Sequence, residues 1–389
     1  MEVFEFERAH CRAGDGKMEE TFLGTGLFES NPGGAFGRLV NFQDSGRSAS
    51  RFIHVPQSIF QRFHLRDGQE VVGSVAPGRN GKNPFLVRVD SIDGLSPEER
   101  RKCVSFFRAT TIFPAEWFRL ETDGGPLGTR IIDLFAPIGK GQRGLIVAPP
   151  KAGKTTLLRD IAHGIIANHP GCHLMVLLVD ERPEEVTDFR RSVTAEIFAS
   201  SNDEPMTRHL QVAQFAFQRA QCLVEAGRDV VLLLDSLTRL ARTFNGAAGR
   251  GGRTMSGGLD SKALEKPRQL FSMARATEEI GTLTILATVL VETGSRMDDL
   301  IFQEFKGTGN AEIVLDRRLA EQRLFPAINL QSTGTRREEL LLDERTLQAA
   351  QFMRRAAASG RPEAALENLL IRLGKTKNNR EFVDFIAKR

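Results

Sequence analysis

Residues 144–156 read GLIVAPPKAGKTT, and this stretch constrains the fold more than any other. The apolar run Leu145-Ile146-Val147-Ala148 is strand-like. It breaks at Pro149-Pro150 into Lys151-Ala152-Gly153-Lys154-Thr155-Thr156, after which a helical pattern begins. A strand, a tight turn and a helix N-terminus aim consecutive backbone N–H groups and the positive dipole end at one concavity, as a phosphate-binding loop requires. The GxxxxGK[ST] pattern opens on Ala148 instead of Gly, while Gly153-Lys154-Thr155 is intact. Its spacing sends Lys154 to the β/γ-phosphates of a nucleotide and Thr155 to Mg²⁺.

A chain of 389 residues exceeds the length at which one core usually splits, so two domains are expected, and 41% hydrophobic residues suffice for real cores. The 53 basic and 49 acidic residues nearly balance, so any nucleic-acid-binding patch has to be local. Cys11, Cys103, Cys172 and Cys222 lie far apart without a CxxC pair, which argues against a zinc site and a disulfide framework and fits a reducing cytoplasm. His169 and His173 flank Pro170-Gly171 and read as loop residues, not a helical ligand pair. No apolar run is long enough to span a membrane, and the acidic start MEVFEFERAH does not suit a signal peptide.

Residues 1–20 offer no clean periodicity. Over residues 21–92, short β-type runs at 21–29, 35–42, 51–55, 70–76 and 85–92 alternate with turn signals such as Asp67-Gly68, which predicts a small OB-type barrel. Strand patterns alone leave open whether this barrel binds anything. Eight basic against five acidic side chains give it only a weak positive footprint. Residues 93–127, with Pro97, Pro114 and the sole Trp117, read as a connector. From residue 128 to 389 the pattern is α/β: strands 144–148, 174–180, 229–235 and 282–290, and helices 154–168, 184–199, 208–226 and 262–279. The strands are near-continuously apolar, as in a mainly parallel sheet covered on both faces.

Two of these strands end in carboxylates, Asp180-Glu181 and Asp235, and C-terminal strand ends border the ligand crevice of such a sheet. Asp235 suits a Walker B acid holding Mg²⁺ and Glu181 a base that deprotonates the attacking water. Taken singly, each acid could equally cap a helix. The stretch 245–258, NGAAGRGGRTMSGG, is Gly-rich and basic; Glu292-Thr293-Gly294-Ser295-Arg296 and Lys306-Gly307-Thr308-Gly309 follow. Backbone approach and positive charge suit a phosphodiester strand, although composition also fits a plain surface loop.

The segments GQRGLIVAPPKAGKT (141–155), DERPEEVT (180–187), LLLDSLTRLAR (232–242), QEFKGTGN (303–310), FPAI and GTRREELL (within 325–341) resemble the Rho family of bacterial transcription termination factors, ring-shaped RNA helicases related to RecA and the rotary ATP synthases. The likeness is dense over about residues 128–375. It implies a RecA-like ATPase domain behind an OB or cold-shock-like barrel, ATP and Mg²⁺ as cofactors, single-stranded RNA and a homohexameric ring as partners, and RNA polymerase as a candidate partner. Lys151 through Thr156 would hold the phosphates, Glu181 would be the catalytic base, Asp235 the Walker B acid and Phe325 the adenine platform. Arg336 matches the family's arginine finger and Arg323 a second interfacial arginine, both reaching a neighbour's nucleotide. Arg253, Thr254, Met255, Ser256, Gly257 and Gly258 correspond to one RNA-channel loop, Ser295 and Arg296 to another, and Lys306 belongs with them.

Gln322 stands where the family commonly has Lys, and Arg253 and Arg296 replace lysines with charge preserved. In the barrel, Phe36 matches one base-stacking aromatic, whereas Arg38 replaces a second Phe and His54 a Tyr. Three readings follow: an ATP-driven RNA translocase that terminates transcription, a related RNA or single-stranded-DNA motor in another process, and a RecA-type ATPase ring with a protein substrate. The basic 245–258 loop and the KGTGN segment favour nucleic acid.

Overall fold

The structure, a computed structural model, describes residues 8–10, 20–31, 36–41, 52–78, 83–247 and 262–387. Contacts divide the chain into two units, one comprising Met1–Ala109, Gln214–Arg228 and Glu279–Gly281, the other Thr110–Ala213, Asp229–Glu278 and Thr282–Arg389.

In the smaller unit, the strand Glu20–Ser30 pairs antiparallel with both Phe36–Val40 and Glu70–Ala76, and Ile53–Pro56 and Phe85–Ile92 complete the circuit. Closing the sheet leaves alternate residues inside: Phe28, Leu39, Ile53, Val55, Val71, Val75 and Leu86 form the core. A side chain at position 37 would collide with the Phe28 ring, since a Cβ there would lie 2.2 Å from it, so Gly37 lets that ring fill the interior. The expected strands 70–76 and 85–92 match the observed bounds, and 51–55 shifts to Ile53–Pro56. Beneath the barrel, Arg100 and Arg219 each stand 3.0 Å from the buried Asp93, and Arg100 also reaches Glu225 at 2.9 Å. Burial penalises these charges unless they are paired, and here each has a partner.

The larger unit is built on a seven-stranded sheet in the order Glu196–Ser201, His173–Glu181, Val230–Asp235, Leu283–Leu290, Arg143–Ala148, Ala311–Val314, Gly334–Thr335. All neighbours are parallel except the last pair. The central strand Val230–Asp235 is buried at every position, as its uninterrupted apolar sequence requires. The helix Leu127–Phe135 is buried from Gly128 onward, and its Asp133 accepts backbone N–H bonds from Leu120 (3.0 and 3.1 Å) and Glu121 (2.8 Å).

The expected helix 184–199 ends at Ser192, and Glu196–Ser201 is instead the edge strand of the sheet. Ile197 and Phe198 are buried there by pairing with His173–Glu181, a non-local gain that overrides local helix signals. The expected helix 262–279 is helical only over Glu265–Phe271; Ala276–Thr277 pairs with Thr111–Ile112. The helices Leu127–Phe135, Leu237–Ala247 and Arg296–Lys306 are among those that went unforeseen, and the second takes in Asn245-Gly246-Ala247 of the Gly-rich stretch. Among the described residues, no helix is long and apolar enough to cross a membrane.

Candidate nucleotide site and RNA-facing elements

The strand Arg143–Ala148 leads through residues 149–153 into the helix Lys154–Asn168, matching the expected helix bounds. Ala148, at the position where the loop pattern calls for Gly, is a buried strand residue and leaves the loop's turn to Gly153. Gly153 caps the helix at φ 90°, a left-handed conformation that glycine adopts without strain. The first helical N–H groups have no partner within the helix, so an anion in the loop would meet them. Ala152 is buried behind the loop, Lys151 and Thr156 are exposed, and the Thr155 hydroxyl makes no hydrogen bond among the described residues. Phe325, 46% exposed, lies against the loop: a Cβ on Gly153 would be 3.9 Å from its ring.

Three ionisable groups meet beside this loop. Lys154 Nζ stands 2.5 Å from Asp235 Oδ1 and 3.9 Å from Glu181 Oε2. Asp235, 2% exposed, also accepts the Thr288 hydroxyl at 2.8 Å. Glu181 is 3% exposed, and its Oε2 accepts no hydrogen bond, although Arg239 Nη1 lies 3.1 Å away and donates to the Asp180 carbonyl. Burial first, and the Asp235 charge second, raise the Glu181 pKa above the ordinary carboxylate range, against Lys154 and Arg239. The cluster thus contains a carboxylate with a proton-accepting lone pair, an acid held by a lysine and a hydroxyl, and a cation within reach of the loop.

Strained backbone recurs at several of the candidate site segments. Of seven non-glycine residues at positive φ among the described residues, Lys151 (65°), Asp180 (56°), Arg323 (61°) and Arg337 (60°) are candidate site residues or their immediate neighbours, and Glu292 (54°) opens the segment before Ser295. Each such conformation costs about 1–3 kcal/mol and persists where surrounding contacts hold it.

Arg336 follows the edge strand Gly334–Thr335 and donates its backbone N–H to Asn310, whose own N–H goes to the Arg143 carbonyl. Burial, and then the Arg336 charge, lower the Arg143 pKa. Arg143 begins the strand that ends at the phosphate loop, so Arg336 stands about 16 Å from that loop, at the opposite end of the sheet. Its exposed side chain cannot reach its own loop. Arg323, also exposed, lies two residues before Phe325 and therefore at the loop's end of the sheet.

Ser295 caps the helix Arg296–Lys306 without a side-chain hydrogen bond; Arg296 and Lys306 are exposed, with Lys306 Nζ 5.6 Å over the Phe302 ring. Sequence reasoning missed what anchors this loop. Asp298, fully buried, accepts two bonds from Arg242 and one from the Thr293 hydroxyl at 2.6 Å. Arg239 and Arg242 stand one turn apart in the segment after Asp235, a spacing that could have marked them. The expected loop residues Arg253, Thr254, Met255, Ser256, Gly257 and Gly258 lie outside the described residues. On the barrel, Arg38 pairs in register with both Glu29 and His54, so all three share one outward face. Phe36 and His54 rings are 5.0 Å apart, and Arg38 Nε meets Glu29 at 2.8 Å. Glu29, an acid inside a face read as RNA-binding, was not foreseen; the strand register alone reveals it.

Sheet, loop and carboxylates define a P-loop nucleotide-binding domain of the kind that hydrolyses nucleoside triphosphates. Residues 128–333 match the nucleotide-binding domain of the ATP synthase alpha/beta family, and residues 24–98 match the RNA-binding domain of the Rho termination factor. Transcription termination factor Rho of Pseudomonas aeruginosa is 47% identical over 391 residues, covering 100% of this chain and 92% of that protein. Its counterpart in Thermotoga maritima is 48% identical over 368 residues, covering 94% and 86%. The chain belongs to the Rho family of transcription termination factors. Among solved structures, an ATPase from the type III secretion system of pathogenic bacteria is 28% identical with a TM-score of 0.56, over 68% of this chain and 73% of that one. An ATP synthase subunit from Nanoarcheaum equitans, 15% identical with a TM-score of 0.59 over 72% and 76%, shares the fold.

Proposed function

We propose that this chain is a cytoplasmic, RNA-stimulated ATPase that assembles as a homohexameric ring and terminates transcription by pulling on nascent RNA. In this reading residues 21–92 are the primary RNA-binding domain, 93–127 a connector and 128–389 the motor, with RNA polymerase as the further partner such an activity calls for. The observation that carries it is the Lys154–Glu181–Asp235 cluster beside the phosphate loop, in a chain whose residues 24–98 match a Rho RNA-binding domain.

The backbone N–H groups of residues 152–156 and Lys151 hold the phosphates, and Phe325 stacks on the base. Lys154 exchanges Asp235 for the β/γ-phosphates when nucleotide enters. The Thr155 hydroxyl and Asp235 carboxylate form an all-oxygen donor set that suits Mg²⁺. No group of three or more His, Cys, Asp or Glu able to hold a metal stands among the described residues, so phosphate and water would complete the ion's shell. When bound, the ion neutralises charge that develops on the phosphates. Glu181 orients the attacking water and takes its proton. Arg336 of one subunit, with Arg323 as the second arginine, stabilises transition-state charge at a neighbour's site. Ser295, Arg296 and Lys306, with 253–258, contact RNA in the channel, while Phe36, Arg38 and His54 bind it on the barrel.

The test is steady-state ATP hydrolysis by the intact chain with and without single-stranded RNA, single-stranded DNA and no polymer. Strong stimulation by RNA is expected. Equal rates under all three conditions would overturn the RNA-motor reading and leave a bare ATPase.

A further inference from the structure

The outward face of the barrel carries one row of side chains across its strands. Register sets Glu29 opposite Arg38, Arg38 opposite His54, and His54 opposite Phe85. Their chain neighbours Phe28, Leu39, Ile53, Val55 and Leu86 lie in the core, so the alternation of a strand turns the row away from it. Phe36 stands beside the row, its ring 5.0 Å from that of His54 and tilted 40° to it.

Arg38 is a held side chain. It springs from a paired strand, is 40% exposed, and donates its Nε to Glu29 Oε2 at 2.8 Å, while the Glu29 side chain is only 10% exposed. A carboxylate that takes Nε fixes the plane of the guanidinium, and the two Nη nitrogens make no hydrogen bond among the described residues. They form a planar fork of donors beside two aromatic rings. Such a fork needs two acceptors side by side on one base edge. Guanine offers O6 and N7; adenine sets an amino donor beside its N7. Uracil places an N–H between its two carbonyls. Cytosine has adjacent acceptors in N3 and O2 but only one ring, whereas Phe36 and His54 together make a platform wider than one ring, which suits a bicyclic base.

We propose that the barrel reads guanine in single-stranded RNA: the base stacks on Phe36 and His54, Arg38 donates to its O6 and N7, and Glu29 is the positioning residue that aims Arg38. The inference rests on the reading of residues 21–92 as the primary RNA-binding domain.

The experiment measures anisotropy of short, labelled, uridine-rich RNAs carrying one central guanine, 7-deazaguanine, adenine, cytosine or uracil, titrated with the full-length chain in the absence of ATP. The guanine RNA is expected to bind about tenfold more tightly than the adenine, cytosine and uracil RNAs. The 7-deazaguanine RNA, which has C–H in place of N7, should lose most of that advantage. Arg38→Gln should bring all five RNAs to about the same affinity, and Glu29→Gln should shrink the guanine advantage severalfold. Phe36→Ala should weaken every RNA. The ratio between bases is the diagnostic quantity, because loss of positive charge alone weakens all sequences alike. Equal binding of the five RNAs by the unaltered protein, a preference for cytosine, an undiminished affinity for 7-deazaguanine, or a guanine preference that survives Arg38→Gln would each overturn the proposal. The first three comparisons use the unaltered protein and so hold even if a variant fails to fold. Hydrolysis that RNA still stimulates while all bases bind alike would overturn the base readout alone; absence of both RNA binding and stimulation would overturn the RNA-motor reading with it.

Discussion

In the proposed mechanism Glu181 carries the sharpest chemical demand in the molecule, since only its ionised form could take a proton from water. Burial and the neighbouring Asp235 raise its pKa, so its ionised fraction falls at a higher pH than for an ordinary glutamate, near about 4.3. Turnover should therefore decline on the acid side, with an acid limb above the usual carboxylate range. The check is a pH–rate profile for ATP hydrolysis at saturating nucleotide and RNA. Glu181→Gln should bind ATP normally and lose about 10²–10⁴-fold in rate, because it keeps the shape and loses the base. Near-normal turnover in that variant would remove Glu181 from its role. The residue itself was legible in the sequence because it closes an apolar strand. Its partner Arg239 was not: a contact between a helix side chain and the end of a different strand exists only after both have folded onto the same sheet.

Among elements, the helix Leu127–Phe135 is tied to the chain at Leu120 and Glu121 through one buried carboxyl, Asp133. Asp133 has a pKa pushed up to about 8 by burial, despite the backbone N–H groups of Leu120 and Glu121 that pull it down. Below that value the folded state holds a proton that the unfolded chain, with an ordinary aspartate, releases above about 3.9. The native state thus binds more protons across this window, and stability should fall as pH rises from about 4 to 8. Asp133→Asn should flatten that slope and cost about 1–3 kcal/mol, because the amide offers one oxygen, and an N–H₂ that cannot accept, where two carboxyl oxygens serve the N–H groups of Leu120 and Glu121. Thermal unfolding followed by circular dichroism across the pH series would detect both effects; an unchanged slope in the variant would sink the idea. Sequence periodicity located most of the parallel strands well, since each is apolar over its full length. It failed over 184–199, where PEEVTDFRRS is locally helical and the residues after it are held in a strand only by pairing with His173–Glu181. Likewise the resemblance set Arg38 and His54 at positions where the family has base-stacking aromatics, while the acid opposite Arg38, Glu29, emerged only from the pairing register.

For the whole molecule, the decisive fact is that Arg336 lies at the end of its sheet away from its own phosphate loop. An arginine finger contributes on the order of 10³–10⁵ in rate, so Arg336→Ala should abolish turnover with ATP affinity nearly intact. Mixing Arg336→Ala with Lys154→Ala subunits should restore part of the hydrolysis, at interfaces that join an intact loop to an intact finger. No recovery at any ratio, with mixed assemblies confirmed by mass, would count against the trans assignment.

This polarity of the sheet has a genetic consequence. In the proposed ring, a chain that has lost its finger would still offer a sound pocket to the subunit on one side and would silence the subunit on the other, so the defect would be expressed by its neighbour. In a cell carrying both a normal and a damaged copy of the gene, loss-of-finger alleles should behave as dominant, reducing output by more than their share of the protein pool.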